Sequence, residues 1–138
     1  MTEPSERGLQ IVLRVVAVLF IGVTIFTIVW PSGWVWHPDN PAYLQMILGI
    51  YATLGVFLWL AAREPSKHLS LIWFTVASSI VHAGIMAVHA FTDSGEMGHL
   101  PGDVAALFII GIVLGVVTMR SESHKHVGDA ASAPAAAG

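Results

Sequence analysis

Four long apolar stretches, separated by short polar segments, constrain the fold of this chain more than any other feature. They cover approximately residues 9–30, 42–62, 69–91 and 104–119. Each approaches the roughly 20 residues that a helix needs to cross a hydrocarbon core of about 30 Å. Backbone N–H and C=O groups cannot stay unpaired in lipid, and the alternating pattern of strands is absent. We therefore predict an all-α fold, an integral membrane four-helix bundle.

Composition supports lipid as the main solvent and partner. Of the 138 residues, 55% are hydrophobic and 11% are charged, whereas a soluble domain carries about 25% charged residues. The formal net charge of −3 gives no basic field for nucleic acid, which we exclude as a partner. Cysteine is absent, which excludes disulfide exchange and thiolate metal sites.

The positive charges predict the orientation. All 6 Lys and Arg residues fall on one side of the predicted membrane: Arg7, Arg14, Arg63, Lys67, Arg120 and Lys125. The connections on the other side contain only acidic charges. By the positive-inside rule, we expect both termini of a multi-pass membrane protein to be cytoplasmic.

The predicted organisation has three parts. Residues 1–8 form a short cytoplasmic segment, residues 9–120 the four-transmembrane-helix domain, and residues 121–138 a tail rich in Ala, Ser and Pro. We expect this tail to be disordered and cytoplasmic.

Small residues recur at spacings that favour close helix packing. Gly111 and Gly115 form a G-x-x-x-G pattern, and Gly49, Gly55 and Gly84 lie within the second and third segments. Such residues let helix backbones approach in lipid. The pattern favours packing within the monomer, in a homo-oligomer or against a partner membrane protein.

The third segment is the richest in polar residues. Ser78, His82 and His89 follow one another at i, i+4 and i+11, which places them on one helix face. We expect this face to point into the bundle, where Gln45 and Tyr51 of the second segment would border the same cavity. His82 then fits a proton carrier, a ligand-binding residue, or simply a histidine hydrogen-bonded to a neighbouring helix. No acidic residue lies inside a segment to pair with it.

The outer connections supply further candidates. Trp34 is a candidate for ligand stacking, although anchoring at the headgroup level is the ordinary role of such a residue. His89, His99 and His37, with nearby carboxylates, are candidate ligands of a metal site outside the membrane. Their spacing matches no defined metal motif. His82 is also a candidate axial ligand of a haem. The first, second and fourth segments contain no histidine, so a second axial ligand would have to come from another copy of the chain.

Five segments resemble a family of small bacterial four-helix membrane proteins known only as a domain of unknown function. They are Trp30-Pro31-Ser32-Gly33-Trp34, Gln45-Met46-Ile47-Leu48-Gly49-Ile50-Tyr51, Ser70-Leu71-Ile72-Trp73-Phe74, Ser78-Ser79-Ile80-Val81-His82 and Gly98-His99-Leu100-Pro101-Gly102-Asp103. The resemblance covers roughly residues 9–120 and implies a bacterial inner-membrane protein. The four-helix layout is also similar to the DoxX-like group. Neither resemblance implies an activity, a cofactor or a catalytic residue.

Two functions stay open from the sequence. The first is a structural or accessory membrane component without enzymatic activity. The alternative is a protein that binds a hydrophobic ligand, a quinone or a metal through His82, His89 and the outer loops. Small multidrug exporters are excluded, because they depend on a glutamate within the first helix and this first segment has none.

Overall fold

The computed structural model describes residues 4–30, 41–92 and 100–132, and these residues form four helices and no strand. Helix α1 covers Pro4–Val29, α2 Pro41–Ala61, α3 Leu69–Thr92 and α4 Ala105–Ser132. A short 3₁₀ turn, Pro65–Lys67, precedes α3, and a π-helical turn, Leu100–Val104, precedes α4. The all-α prediction with four helices is confirmed.

Three of these helices are long and apolar enough to cross a membrane: Pro4–Val29, Leu69–Thr92 and Gly102–Lys125. In α2 the apolar helix Gln45–Ala61 is shorter. The backbone of α2 nevertheless stays helical from Pro41, giving 21 residues or about 31 Å.

Helix boundaries differ from the prediction at two ends. Helix α1 begins at Pro4 rather than near residue 9, because proline fits the first position of a helix and Glu6 suits its first turn. Helix α4 continues to Ser132, so residues 121–132, predicted to be disordered, are helical. The segment holds Glu122, Lys125 and two alanines, which favour a helix even in water.

The chain divides into two compact units. The first, Gln10–His68, contains most of α1 together with α2, and the second contains α3 and α4 together with the first residues of the chain. We call the helix pairs the α1/α2 hairpin and the α3/α4 hairpin.

In the α1/α2 hairpin, Gly55 marks a close approach between the helices. A Cβ atom on Gly55 would lie 2.8 Å from Ile21 Cγ1 and 2.9 Å from the Ala17 carbonyl oxygen. The Thr24 hydroxyl lies 3.0 Å from the Leu48 carbonyl oxygen, a hydrogen bond between the helices. A side chain at Gly55 would therefore push against the backbone of α1.

In the α3/α4 hairpin, the G-x-x-x-G pair lies against α3, as the sequence predicts. A Cβ on Gly111 would lie 2.8 Å from Ile80 Cγ1, and one on Gly115 would lie 3.4 Å from Val76 Cγ1. As α4 advances from Gly111 to Gly115, its neighbours on α3 move back along the chain, so the two helices are antiparallel. Gly49 and Gly84 have no neighbour within 4 Å and do not mark a contact within the described chain.

Candidate functional site

The buried polar face of α3 differs from the predicted one. Thr75 and Ser79 are buried, whereas Ser78 and His82 are half-buried and His89 is exposed. Three residues advance a helix by about 300°, so Ser78 and His82 lie about 60° to the side of the face that Thr75 and Ser79 occupy. Within α3 the buried polar positions are thus Thr75 and Ser79, while the expectation that Ser78, His82 and His89 point into a four-helix bundle stays a prediction.

The hydroxyl groups of α3 bond to their own helix. Thr75 Oγ1 donates to the Leu71 carbonyl oxygen at 2.9 Å, and Ser78 Oγ donates to the Thr75 carbonyl oxygen at 3.2 Å. Among the described residues, every buried side-chain nitrogen and oxygen atom has a hydrogen-bond partner. This part of the chain therefore holds no buried polar group that needs a ligand to satisfy it.

His82 has an acidic neighbour that the sequence analysis missed. The Asp103 carboxylate, in the π-helical turn before α4, interacts electrostatically with the His82 imidazole. Gly111 lies level with Val76 and Ile80, and Asp103 comes eight residues earlier on an antiparallel helix. That places Asp103 about one turn above His82. The sequence signal for this partner is the G-x-x-x-G pair, because counting back eight residues from Gly111 leads to Asp103.

His82 and Asp103 give the α3/α4 hairpin two ionisable side chains that interact with each other. An imidazole within the electrostatic reach of a carboxylate can carry a proton and can orient a hydrogen-bonding ligand. His82 is only half-buried, so one side of the ring is accessible from outside the hairpin.

The candidates on α2 belong to the other unit. Tyr51 is half-buried, and its ring lies against Phe20 of α1 with centroids 5.0 Å apart at 54°. Gln45 is exposed. The ring of Tyr51 thus contributes to packing of the α1/α2 hairpin, while a cavity shared by Gln45, Tyr51 and His82 stays a prediction.

Most of the candidates in the outer connections lie outside the part of the chain that the structure describes. Trp34, His37 and His99 lie outside the described residues, and His89 is exposed near the end of α3. Within the described ranges, no group of three His, Cys, Asp or Glu side chains is placed to hold a metal ion. The metal site formed by His89, His99 and His37 stays a prediction.

An open groove runs along the outer side of α1. It has a volume of about 250 Å³ and is lined by Arg14, Val15, Val18 and Leu19. Arg14 is exposed, and the lining to which its side chain contributes is almost wholly apolar. The groove lies entirely within the α1/α2 unit.

A comparison with known protein families identifies the family of this chain. A family defined by sequence similarity and described as a family of unknown function matches residues 4–135. The chain belongs to DUF6632. The predicted membership of an uncharacterised family is confirmed, while the similarity to DoxX-like proteins stays a prediction. No curated protein and no solved structure matches the chain.

The extent of the DUF6632 match bears on the domain boundaries. It begins at residue 4, where α1 begins, and continues past Ser132, where α4 ends. The family unit therefore includes both helical extensions that lie outside the predicted 9–120 domain.

Proposed function

We propose that this chain is a multi-pass protein of the bacterial inner membrane that serves as a structural or accessory component of a membrane assembly. The apolar outer surface carries the proposal, because the outward-facing residues are largely aliphatic or aromatic. Two further observations agree with it. Each hairpin has a glycine at close contact, and the described buried polar atoms all have hydrogen-bond partners. Such a molecule is built to pack in lipid against other helices.

The proposed topology has four crossings with both termini in the cytoplasm. It is supported by the placement of all 6 Lys and Arg residues at the cytoplasmic ends of the predicted segments. The 21 helical residues of α2 are sufficient to cross a core of about 30 Å.

Reporter fusions test this topology. We expect a green fluorescent protein fused after residue 138 to fluoresce, and alkaline phosphatase fused at residue 36 or 96 to be active. A phosphatase that is active at the carboxyl terminus, or inactive at residue 36, would contradict four crossings with cytoplasmic ends. Either result would leave the family membership intact.

Cross-linking tests the role in an assembly. The chain has no cysteine, so single-cysteine variants report on one position each. Gly22, Gly49 and Gly84 have no neighbour within 4 Å and are open to a second helix. We expect oxidation in native membranes to link at least one of Gly22→Cys, Gly49→Cys and Gly84→Cys into a dimer or into an adduct with a defined second protein.

The matched control is Leu114→Cys, because Leu114 is fully buried and should form no link. If all three open positions stay monomeric in membranes and in mild detergent, the assembly role is wrong.

A second function is favoured by the His82–Asp103 pair. A half-buried imidazole beside a carboxylate suits a hydrophobic ligand with a hydrogen-bonding head, such as a quinone, or a metal ion. The absorption spectrum and elemental analysis of protein purified in mild detergent test for a chromophore or a stoichiometric metal. Titration with a short-chain quinone, followed by tryptophan fluorescence, tests for the ligand directly.

Two variants decide whether His82 is responsible. Under the binding hypothesis, His82→Ala and Asp103→Asn each weaken quinone binding by at least about tenfold, while His124→Ala, in the exposed last part of α4, has no effect. If binding is absent, or is unchanged in both variants, His82 has a packing role only.

A further inference from the structure

Arg14 is a cation within a helix that is otherwise apolar from Leu9 to Val29. Only Gln10 and three hydroxyl or glycine positions interrupt its aliphatic and aromatic character over most of that length. Among the residues that the structure describes, none forms an ion pair or a hydrogen bond with the Arg14 side chain. A guanidinium in this setting needs an anion or water beyond the residues that the structure describes.

The position of Arg14 along α1 defines its depth. From Val15 to Val29 the helix has 15 residues, or about 22 Å, which is shorter than a hydrocarbon core of about 30 Å. With Val29 at the outer edge of the core, the Arg14 backbone lies about 8 Å inside its inner edge, and the long side chain extends back toward the headgroup level. Phosphate groups are the anions present at that depth.

The groove beside Arg14 is lined almost wholly by carbon atoms, and it could hold the acyl chain of a lipid. The aliphatic stem of Arg14 lies at its predicted cytoplasmic end, and Val15, Val18 and Leu19 continue it along α1 toward Val29. Their exposed fractions are 53%, 55% and 47%. Spacings of one, four and five residues from Arg14 place the three side chains in a band along one side of the helix.

We propose that Arg14 and this groove form a binding site for an anionic phospholipid of the cytoplasmic leaflet. The guanidinium donates two hydrogen bonds to the lipid phosphate, as the geometry of arginine allows, and one acyl chain lies along Val15, Val18 and Leu19. Charge selects the occupant, because a zwitterionic headgroup brings a cation next to Arg14 and an anionic headgroup does not. The site requires that the chain crosses the membrane, but it does not depend on the role in an assembly.

Native mass spectrometry of the full-length chain in mild detergent tests the site. The probes are dioleoyl phosphatidylglycerol and dioleoyl phosphatidylcholine, which share their acyl chains and differ in headgroup charge. We expect the first bound phosphatidylglycerol to dissociate at a concentration about tenfold lower than phosphatidylcholine. Inorganic phosphate at millimolar concentration should not displace it, because the acyl chain supplies part of the binding.

Three variants separate this site from general attraction between charges. Arg14→Gln should abolish the preference for phosphatidylglycerol, and Val18→Phe, which fills the groove, should weaken binding of both lipids. Arg63→Gln is the matched control: Arg63 is also exposed, belongs to the same unit and lies on the same predicted side. It should leave the preference unchanged.

The proposal is overturned if Arg14→Gln keeps the preference, if Arg63→Gln reduces it equally, or if inorganic phosphate displaces the lipid. Elution volume and helical circular dichroism establish that each variant is folded. Should Arg14→Gln fail to fold, Arg14→Lys and Val18→Phe carry the test: the lysine variant keeps the charge and should show an intermediate preference. A chain that fails the reporter test of membrane crossing would refute the proposed topology instead, which is a distinguishable result.

Discussion

The two hairpins are closed by glycines that meet different kinds of neighbour. In the α1/α2 hairpin, Gly55 lies against the backbone carbonyl of Ala17 as well as the side chain of Ile21. In the α3/α4 hairpin, a Cβ on Gly111 would lie 2.8 Å from the Ile80 side chain and 3.4 Å from the Val76 carbonyl oxygen, an ordinary contact distance, and the neighbours of Gly115 are side-chain atoms. A side chain can move aside and a helix backbone cannot, so the first hairpin should tolerate less change.

The hydrogen bonds of the threonine hydroxyl groups also differ between the hairpins. In the first, the Thr24 hydroxyl shares its proton between the Leu48 carbonyl oxygen of α2, at 3.0 Å, and the Phe20 carbonyl oxygen of its own helix, at 3.1 Å. In the second, Thr75 and Thr118 bond to carbonyl oxygens of their own helices, and the His82–Asp103 pair is the titratable feature. Because lipid provides no hydrophobic force between helices, packing and interhelical hydrogen bonds decide hairpin stability. We therefore expect the first hairpin to be the less adaptable unit, while the second carries the candidate chemistry.

Gly55→Ala should have the largest effect. The new Cβ would lie 2.9 Å from the Ala17 carbonyl oxygen, so the helices must separate, at a cost of about 1–3 kcal/mol. Gly49→Ala on the same helix has open space around its Cβ and should stabilise by about 0.5–1 kcal/mol. The free energy of unfolding, from a titration with sodium dodecyl sulfate followed by circular dichroism, measures both. Equal effects of the two variants would contradict the close contact.

Gly111→Ala should cost less than Gly55→Ala. Ile80 is 39% exposed and its side chain can turn outward, so we expect a loss of about 1 kcal/mol or less. Gly115→Ala places its Cβ 3.4 Å from Val76 Cγ1, an ordinary contact, and should be neutral within about 0.5 kcal/mol. The same unfolding titration applies. A loss at Gly111 equal to that at Gly55 would remove the distinction between a rigid and an adjustable hairpin.

Thr24→Val tests the interhelical hydrogen bond. The substitution keeps the shape of the side chain and removes the hydroxyl, so we expect a loss of about 0.6 kcal/mol, the average for such bonds in membrane helices. Thr118→Val removes only a bond to the Leu114 carbonyl on the same helix and should be close to neutral. If Thr118→Val is the more costly variant, hydroxyl bonding does not distinguish the hairpins.

Hydropathy predicted the number of helices and most of their ends. The bounds of α2 and α3 agree with the prediction to within one residue. They are predictable because the apolar character of the sequence ends at Arg63 and Glu64 after α2 and at Thr92 after α3. The outer extensions of α1 and α4 were missed for the same reason. Hydropathy measures the length that lipid covers, whereas helix formers such as Glu122 and Lys125 continue the helix into water.

The candidate site was only partly predictable. His82 was recognised because an ionisable residue within an apolar segment is expensive. Its neighbour Asp103 was assigned to a connection, because the register of α3 against α4 depends on which residue faces Gly111. The Arg14 groove depends on side-chain shape along one helix, which periodicity alone does not give.

The smallest effect is expected at the turn that follows α2, outside both contact regions. A hydrogen bond from Lys67 lowers the pKa of Glu64 below its ordinary value of 4.5, and the charges of Lys67 and His68 act in the same direction against a slight effect of burial. A lowered folded-state pKa adds stability above pH 4.5, and that contribution is lost as the pH falls through the lowered value.

An NMR titration of the Glu64 carboxyl carbon measures this shift directly. The wild-type carboxyl should titrate below pH 4.5, and Lys67→Gln should move its midpoint back toward 4.5, while Lys125→Gln on α4 should not. Both partners are exposed, so solvent screening keeps the stability change small. An unchanged midpoint in Lys67→Gln would mean that the ion pair does not persist in solution. The turn would then be held by its backbone bonds, from Lys67 N–H to the Glu64 carbonyl and from His68 N–H to the Pro65 carbonyl.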